Sequence, residues 1–324
     1  MGDTSFLVFG AGAWGTALSL QLNKSGNKVY LSSFDSTNLS SIASTRINQK
    51  YLPGVSLPNE IEVIGLSQEL FKKIDCVVIC VKSPYFSKAL SALNNHSAFF
   101  KVLWATKGFD LESGALLSET VSKHYGKGIE HGVLSGPTFA EELSIGKPAA
   151  ITLATNTIKD PSELASSMSN ESLRVYISAD PIGVQLGGSL KNIIAIASGI
   201  SDAMNMGANA RAALITRGAE EMRALGKVLG ANEATFSGLS GIGDLVLTST
   251  DDQSRNRQLG IHIGSGGSLA SFKEAKNGAP EGVHAVRALV DAGMVSDDQF
   301  PIMTRVYKIP VSYTHLTLPT IYSV

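Results

Sequence analysis

The chain has 324 residues, 44% hydrophobic and 17% charged, which is enough apolar material for a substantial core and too ordered a composition for an unfolded polymer. At ~150 residues per domain, the length points to two domains. A formal net charge of −1, with no basic face evident, argues against nucleic acid as a partner but leaves single cations able to meet a small phosphate.

No stretch reaches the ~18 uncharged apolar residues of a membrane span, so none is expected. The first apolar run is short and ends in glycines, unlike a signal peptide. The two cysteines, Cys76 and Cys80, share one face of an expected strand. With no second ligand pair they read as buried core thiols, and no metal site is expected. Together these features predict a reducing, cytoplasmic setting.

In chain order, strands are expected at 5–9, 28–32, 76–81, 102–105, 131–134 and 149–154, most of them short, apolar and β-branched. Helices are expected between them, near 16–24, 37–45, 85–93, 116–124 and 162–168. That alternation predicts a mostly parallel sheet with helices on both faces. After about Ala179 the texture changes: Ala, Ile, Leu and Met recur at helical spacing from Gly183 to Ala231, and helix formers continue to about Asp291. The expected division is 1–179 for the first domain and 180–309 for an all-helical second one. Gly264–Gly267 reads as a turn between helices, since no strand precedes it. Residues 310–324 contain no charged side chain and are rich in Thr, and they read as a foreign extension.

The first strand runs straight into Gly10-x-Gly12-x-x-Gly15 and then a helix. Gly10 permits the tight turn, Gly12 lets backbone approach a pyrophosphate, and Gly15 lets helix and strand pack closely, while the helix N-terminus offers N–H groups to the anion. This predicts a dinucleotide site. Asp35 lies twenty residues past Gly15, where a carboxylate can bind the adenosine ribose; it equally suits a helix N-cap ahead of Ser36 and Thr37. No Lys or Arg falls between Lys28 and Arg46, which favours NAD over NADP.

Four further segments could carry chemistry. Lys107, after the strand ending at Ala105, could meet a phosphate, a carbonyl or a nicotinamide, or be a plain surface lysine. The loop Ser135–Glu141 offers Gly136 and Thr138 to a substrate, or forms a simple turn in which Thr138 caps a helix. Lys191 and Asn192 stand at the expected glycine-rich opening of a long apolar helix. Burial and a second cation would lower the pKa of Lys191, suiting a proton donor to a carbonyl; the plainer alternative is a lysine snorkelling at a helix end. Asp244 and Thr248 sit at i, i+4, with Ser254, Arg255 and Asn256 following, a set suited to a small polyol phosphate or to a solvated helix face.

Taken together, these segments resemble the NAD(P)-dependent sn-glycerol-3-phosphate dehydrogenase family. The resemblance rests on Gly10–Ala17, Asn48–Gly54, Ala105–Gly108, Gly136–Ala140, Leu190–Asn192, Thr216–Gly218, Gly241–Leu245, Ser254–Arg257 and Pro301-Ile302, in order, from about residue 5 to about residue 309. It implies an α/β fold, with an N-terminal Rossmann-type doubly wound, mostly parallel sheet and an all-helical C-terminal domain. It implies NAD or NADP as cofactor, and reversible reduction of dihydroxyacetone phosphate to sn-glycerol 3-phosphate, which feeds glycerophospholipid synthesis. By resemblance Lys191 is the general acid/base, with Lys107 beside it and Asp244 and Thr248 orienting it. Gly136, Thr138, Asn192, Ser254, Arg255 and Asn256 are substrate contacts. Ala13, Trp14, Ala140, Arg255 and Glu281 join the glycines, Phe34 and Asp35 at the dinucleotide.

Two departures stand out. Phe34 occupies the place where the family usually has a basic residue or His, which leaves the choice between NAD and NADP open. The chain also gives way near Pro310 where family members continue into a further helix, so a truncated helical domain of reduced stability is expected. A homodimer is compatible with the sequence. The competing readings are another two-domain hydroxyacid dehydrogenase, whose Lys-x-x-x-Asn pattern differs from the adjacent Lys191-Asn192 here, and a dinucleotide-sensing protein without turnover.

Overall fold

The computed structural model describes residues 4–94, 100–276 and 278–309. The chain divides into two compact units, Met1–Thr106 with Ser118–Pro181, and Lys107–Leu117 with Ile182–Val324. The sequence drew its boundary at 179, and the second stretch of the first unit ends at Pro181. The exception is Lys107–Leu117, which the sequence placed in the first domain. Its Phe109 and Leu116 are buried in the helical cluster with Leu186 and Leu190, and that burial carries the segment into the second unit. The expected tail, 310–324, lies outside the described residues.

The first unit holds the strands β1 (Ser5–Phe9), β2 (Lys28–Ser32), β3 (Ile47–Asn48), β4 (Leu52–Ser56), β5 (Ile61–Val63), β6 (Cys76–Ile79), β7 (Lys101–Trp104), β8 (His131–Ser135), β9 (Ala149–Ala154) and β10 (Leu173–Ser178). Its helices are α1 (Ala13–Lys24), α2 (Ser36–Thr45), α3 (Gln68–Phe71), α4 (Phe86–Asn94), α5 (Leu117–Tyr125), α6 (Ala140–Ser144) and α7 (Pro161–Met168). Eight strands form one sheet in the order β10-β9-β8-β7-β6-β1-β2-β5. All pairs are parallel except β8 with β9. Covered on both faces, the central strands are apolar throughout rather than alternating: Phe6, Leu7, Val8 and Phe9 of β1, and Cys76 to Ile79 of β6, are buried. The order reverses at β1, which lies between β2 and β6, so the turn after β1 is the switch point at which such sheets bind ligands.

The six expected strands are all present within two residues of their expected ends, and the five expected helices within three. Sequence reading missed the β3–β4 hairpin, the edge strands β5 and β10, and the short helices α3 and α6. All are too short or too mixed to show a period. β6 also ends at Ile79, so Cys80 lies beyond the strand; Cys76 is buried and Cys80 half-buried.

The second unit is helical: α8 (Pro181–Ala203), α9 (Gly207–Val228), α10 (Asp244–Thr250), α11 (Arg255–Gly264), α12 (Leu269–Ala275), α13 (Glu281–Asp291) and α14 (Pro301–Lys308). Gly264–Gly267 does join two helices, α11 and α12. The apolar face of α8, including Leu190, Ile193, Ile194, Ala197 and Ile200, forms the centre of the core. Two crossings are close enough to demand glycine. A Cβ at Gly260 of α11 would stand 2.1 Å from Ile196 O on α8, and one at Gly187 of α8 would stand 2.3 Å from Ser240 O. These contacts press the segment just before α10 and the middle of α11 against α8. No described helix is long and apolar enough to cross a membrane.

Candidate active site

The dinucleotide turn is built from backbone. Gly10 has φ +126°, a left-handed conformation, and a Cβ there would lie 2.6 Å from Cys80 O. A Cβ at Gly15 would lie 2.1 Å from Gly10 O. Gly12 faces open space, where a Cβ would meet nothing within 4 Å. It is also the N-cap of α1, a terminus that no side chain caps and whose first turn holds no acidic residue. An open backbone approach beside an uncapped helix N-terminus fits a pyrophosphate. Ala13 and Trp14 open α1, and the indole Nε1 of Trp14 donates to Thr138 Oγ1 at 3.1 Å. Thr138 therefore positions Trp14 rather than capping α6, whose N-cap is Phe139 and which Ala140 begins. Gly136 follows β8, where a Cβ would come within 2.8 Å of Ala150 O.

Asp35 takes up the capping role that its sequence allowed. Its Oδ1 accepts from the Asn38 backbone N–H at 3.0 Å, and its Oδ2 pairs with Lys50 Nζ at 2.7 Å. The Lys50 bond, with the Asn38 bond, holds this carboxyl below the usual range. The carboxylate stays 35% exposed, so capping and ribose binding are compatible in this geometry. Phe34 packs edge-on against Phe9, with 4.9 Å between ring centroids.

The second unit brings four expected residues together by side-chain contact. Asp244, 1% exposed, lies between two lysines: Oδ1 accepts from Lys191 Nζ at 2.5 Å and Oδ2 from Lys107 Nζ at 2.6 Å. Lys191 also donates to Thr248 Oγ1 at 2.7 Å. The i, i+4 spacing on α10 sets this up, with the Thr248 hydroxyl 3.3 Å from Asp244 Oδ1. Burial pulls Lys191 down to about 7, against the pull of Asp244 and with the help of the Lys107 charge. Burial would raise the Asp244 carboxyl, but the two ammonium groups outweigh it and hold the group below the usual range. A buried lysine near neutrality, held by a fixed carboxylate, can both give and take a proton.

One expectation is corrected. The Gly187–Asn192 segment does not open its helix: α8 begins at Pro181, and Lys191 stands mid-helix and 6% exposed. Gly187 and Gly188 read as a helix start because glycine disfavours helix interiors. At Gly187 the close approach of Ser240 requires it. A lysine snorkelling from a helix end is thereby excluded.

Around these groups, Asn256 Nδ2 donates to Asn192 Oδ1 at 2.9 Å, and Asn256 Oδ1 accepts from Gly282 N at 2.9 Å. Ser254 caps α11 by accepting from Arg257 N. Arg255 does not present a free fork: its Nη2 donates to Lys276 O and Gly278 O, at 2.7 and 2.8 Å, and Glu281 at the start of α13 adds charge attraction. Sequence reading missed Arg257, 8% exposed, which ties α11 to Asp202 at 2.7 Å and to Asp252. Its position beside Arg255 was visible, but its partners, the partly buried Asp202 and the exposed Asp252, come from α8 and the loop before α11.

Comparison with known proteins shows the family. Residues 5–160 match the family described as NAD-dependent glycerol-3-phosphate dehydrogenase N-terminus, and residues 180–316 match the corresponding C-terminus. A glycerol-3-phosphate dehydrogenase [NAD(P)+] of Wigglesworthia glossinidia brevipalpis is 40% identical over 95% of this chain and 94% of its own length. One of Thioalkalivibrio sulfidiphilus is 41% identical over 95% and 93%. The crystal structure of glycerol-3-phosphate dehydrogenase from Coxiella burnetii superposes with a TM-score of 0.89 at 36% identity, covering 95% of this chain and 94% of that one. The chain belongs to the NAD-dependent glycerol-3-phosphate dehydrogenase family.

Proposed function

We propose that this chain catalyses the reversible NAD(P)H-dependent reduction of dihydroxyacetone phosphate to sn-glycerol 3-phosphate. The observation that carries the reading is the buried Lys191 held against Asp244, with Lys107 on the second carboxylate oxygen. The cofactor, when bound, supplies a hydride equivalent, and Gly10, Gly12 and Gly15 with the N-terminus of α1 would hold its pyrophosphate. As the ketone is reduced, its oxygen takes on negative charge and needs a proton. Lys191 Nζ gives it: one N–H bond breaks, one O–H bond forms, and a neutral amine remains. With burial drawing Lys191 to about 7, that amine is accessible at neutral pH and takes the proton back when glycerol 3-phosphate is oxidised. Asp244 and Thr248 fix the direction of Nζ, while Lys107 adds positive field. In the helical unit we assign the polar substrate contacts to Asn192, Ser254, Arg255 and Asn256.

With this reading go a cytoplasmic location, a contribution of glycerol backbones to phospholipids, and a homodimeric state that light scattering would report. The direct test follows NADH and NADPH absorbance on adding dihydroxyacetone phosphate to the full chain. Loss of absorbance with either cofactor supports the reading. Binding of NADH without turnover would replace it with a dinucleotide sensor.

A further inference from the structure

The gap in basic residues between Lys28 and Arg46 is filled by the fold. The two cations that bound the gap are committed elsewhere: Lys28 pairs with Glu62 at 3.4 Å, and Arg46 donates to the carbonyls of Leu57, Pro58 and Ile61. Two other lysines reach the end of β2 instead. Lys50, between β3 and β4, sits 2.7 Å from Asp35 Oδ2. Lys88, from α4, holds its Nζ 4.8 Å from the centroid of the Phe34 ring. Phe34 and Asp35 follow β2 after Ser33, where a dinucleotide fold reads the adenosine ribose: a carboxylate takes a 2′-hydroxyl, and a nearby cation takes a 2′-phosphate. Two ammonium groups and one carboxylate leave this patch with one net positive charge. Asp35 alone would repel a phosphate, but Lys50 already neutralises it, and Lys88 adds a second donor over an apolar ring.

We propose that Lys50 and Lys88 form the 2′-phosphate subsite through which this chain takes NADPH, with Lys50 bridging Asp35 and the phosphate. The inference rests on the function proposed above and deepens it by naming what sets cofactor choice. With NADH, Asp35 keeps Lys50 and accepts from the 2′-hydroxyl. With NADPH, Lys50 and Lys88 bind the phosphate oxygens, and the site becomes more sensitive to salt because both cations are exposed.

The test is the ratio of kcat/KM for NADPH to that for NADH, measured on the full chain with dihydroxyacetone phosphate. Lys50→Ala and Lys88→Ala are each expected to lower this ratio by about five-fold, and the double variant by about 25-fold. Lys50→Arg and Lys88→Arg, which keep the charge, are expected to keep most of it. In parallel, competition of adenosine 2′,5′-bisphosphate and of 5′-AMP against bound NADH is measured by fluorescence. The alanine variants should weaken only the bisphosphate, and added salt should do the same. Wild type that rejects NADPH, an unchanged ratio, or equal losses for both cofactors would each overturn the proposal. A chain that turns over neither cofactor, yet binds the bisphosphate through these lysines, would instead overturn the reaction and leave the subsite standing.

Discussion

The two units solve their halves of the chemistry by different means. The first presents backbone: glycines that permit a turn, and a helix terminus left uncapped. The second presents side chains: a carboxylate 1% exposed and a lysine 6% exposed, neither tolerable without the other. Backbone sites are robust to most neighbouring substitutions but intolerant of an added Cβ at glycines such as Gly10 and Gly15. Side-chain relays are the reverse, tuned by each polar neighbour and dependent on complete pairing.

The largest effect expected is on the relay. Lys191→Ala should lower kcat by about 10³-fold or more, since the proposed general acid is lost, while leaving NADH binding within a few-fold of wild type. It would also strip Asp244 of one of its two cations. Lys191→Arg, which preserves the charge but cannot deprotonate, should be nearly as inactive, and stopped-flow turnover with NADH titration separates the two measurements. Wild-type turnover by either variant would sink the assignment. The converse break is Gly15→Val. A Cβ at 2.1 Å from Gly10 O cannot be accommodated without moving the turn, so NADH affinity should fall at least ten-fold, with a stability loss of about 1–3 kcal/mol.

Legibility differed between the units for the same reason. The strand–glycine–helix order of Ser5–Lys24 is local in sequence, so the cradle could be read before any fold was known. Asp244 and Thr248 were also local, one helical turn apart. Their meeting with Lys107 and Lys191 was not, because the pairs are separated by over fifty residues and closed by helix crossings at Gly187 and Gly260. Only resemblance linked them in advance. The mid-helix place of Lys191 was misread because glycines mark helix ends in sequence but close contacts in packing. Lys50 and Lys88 were invisible for a related reason: a search within the β2–α2 segment cannot find cations delivered by the β3–β4 hairpin and α4.

The helical unit also contains a charge outside the relay. Glu221 of α9 accepts from the N–H groups of Ile302 and Met303 at 2.8 and 3.1 Å, capping α14 from another helix. Glu221→Ala would leave both donors without this partner and should cost about 1–3 kcal/mol, seen as a lowered Tm. Burial raises the Glu221 carboxyl to about 7, with both N–H bonds opposing. Between its ordinary value near 4.5 and about 7, the folded state therefore binds more protons than the unfolded one. The stability it contributes is full below that window and is lost as pH rises through it. Glu221→Gln should flatten this slope, which denaturant titrations at pH 5 and 7.5 would detect; an unaltered slope would assign the dependence to other groups.

The smallest effect probes how finely the relay is tuned. Thr248 Oγ1 accepts from Lys191 Nζ at 2.7 Å, a bond that favours the ammonium over the amine. Thr248→Val keeps the shape and removes the acceptor, so the Lys191 pKa should fall further below about 7. Reduction needs the ammonium, and its rate declines as pH rises through that pKa, whereas oxidation needs the amine and its rate climbs. The valine variant should move both limbs toward acid by less than about one pH unit and reduce kcat only a few-fold. A structural lesion elsewhere would lower both rates at every pH without moving either limb. A shift in the opposite direction would mean that Thr248 donates to Asp244 during turnover rather than accepting from Lys191.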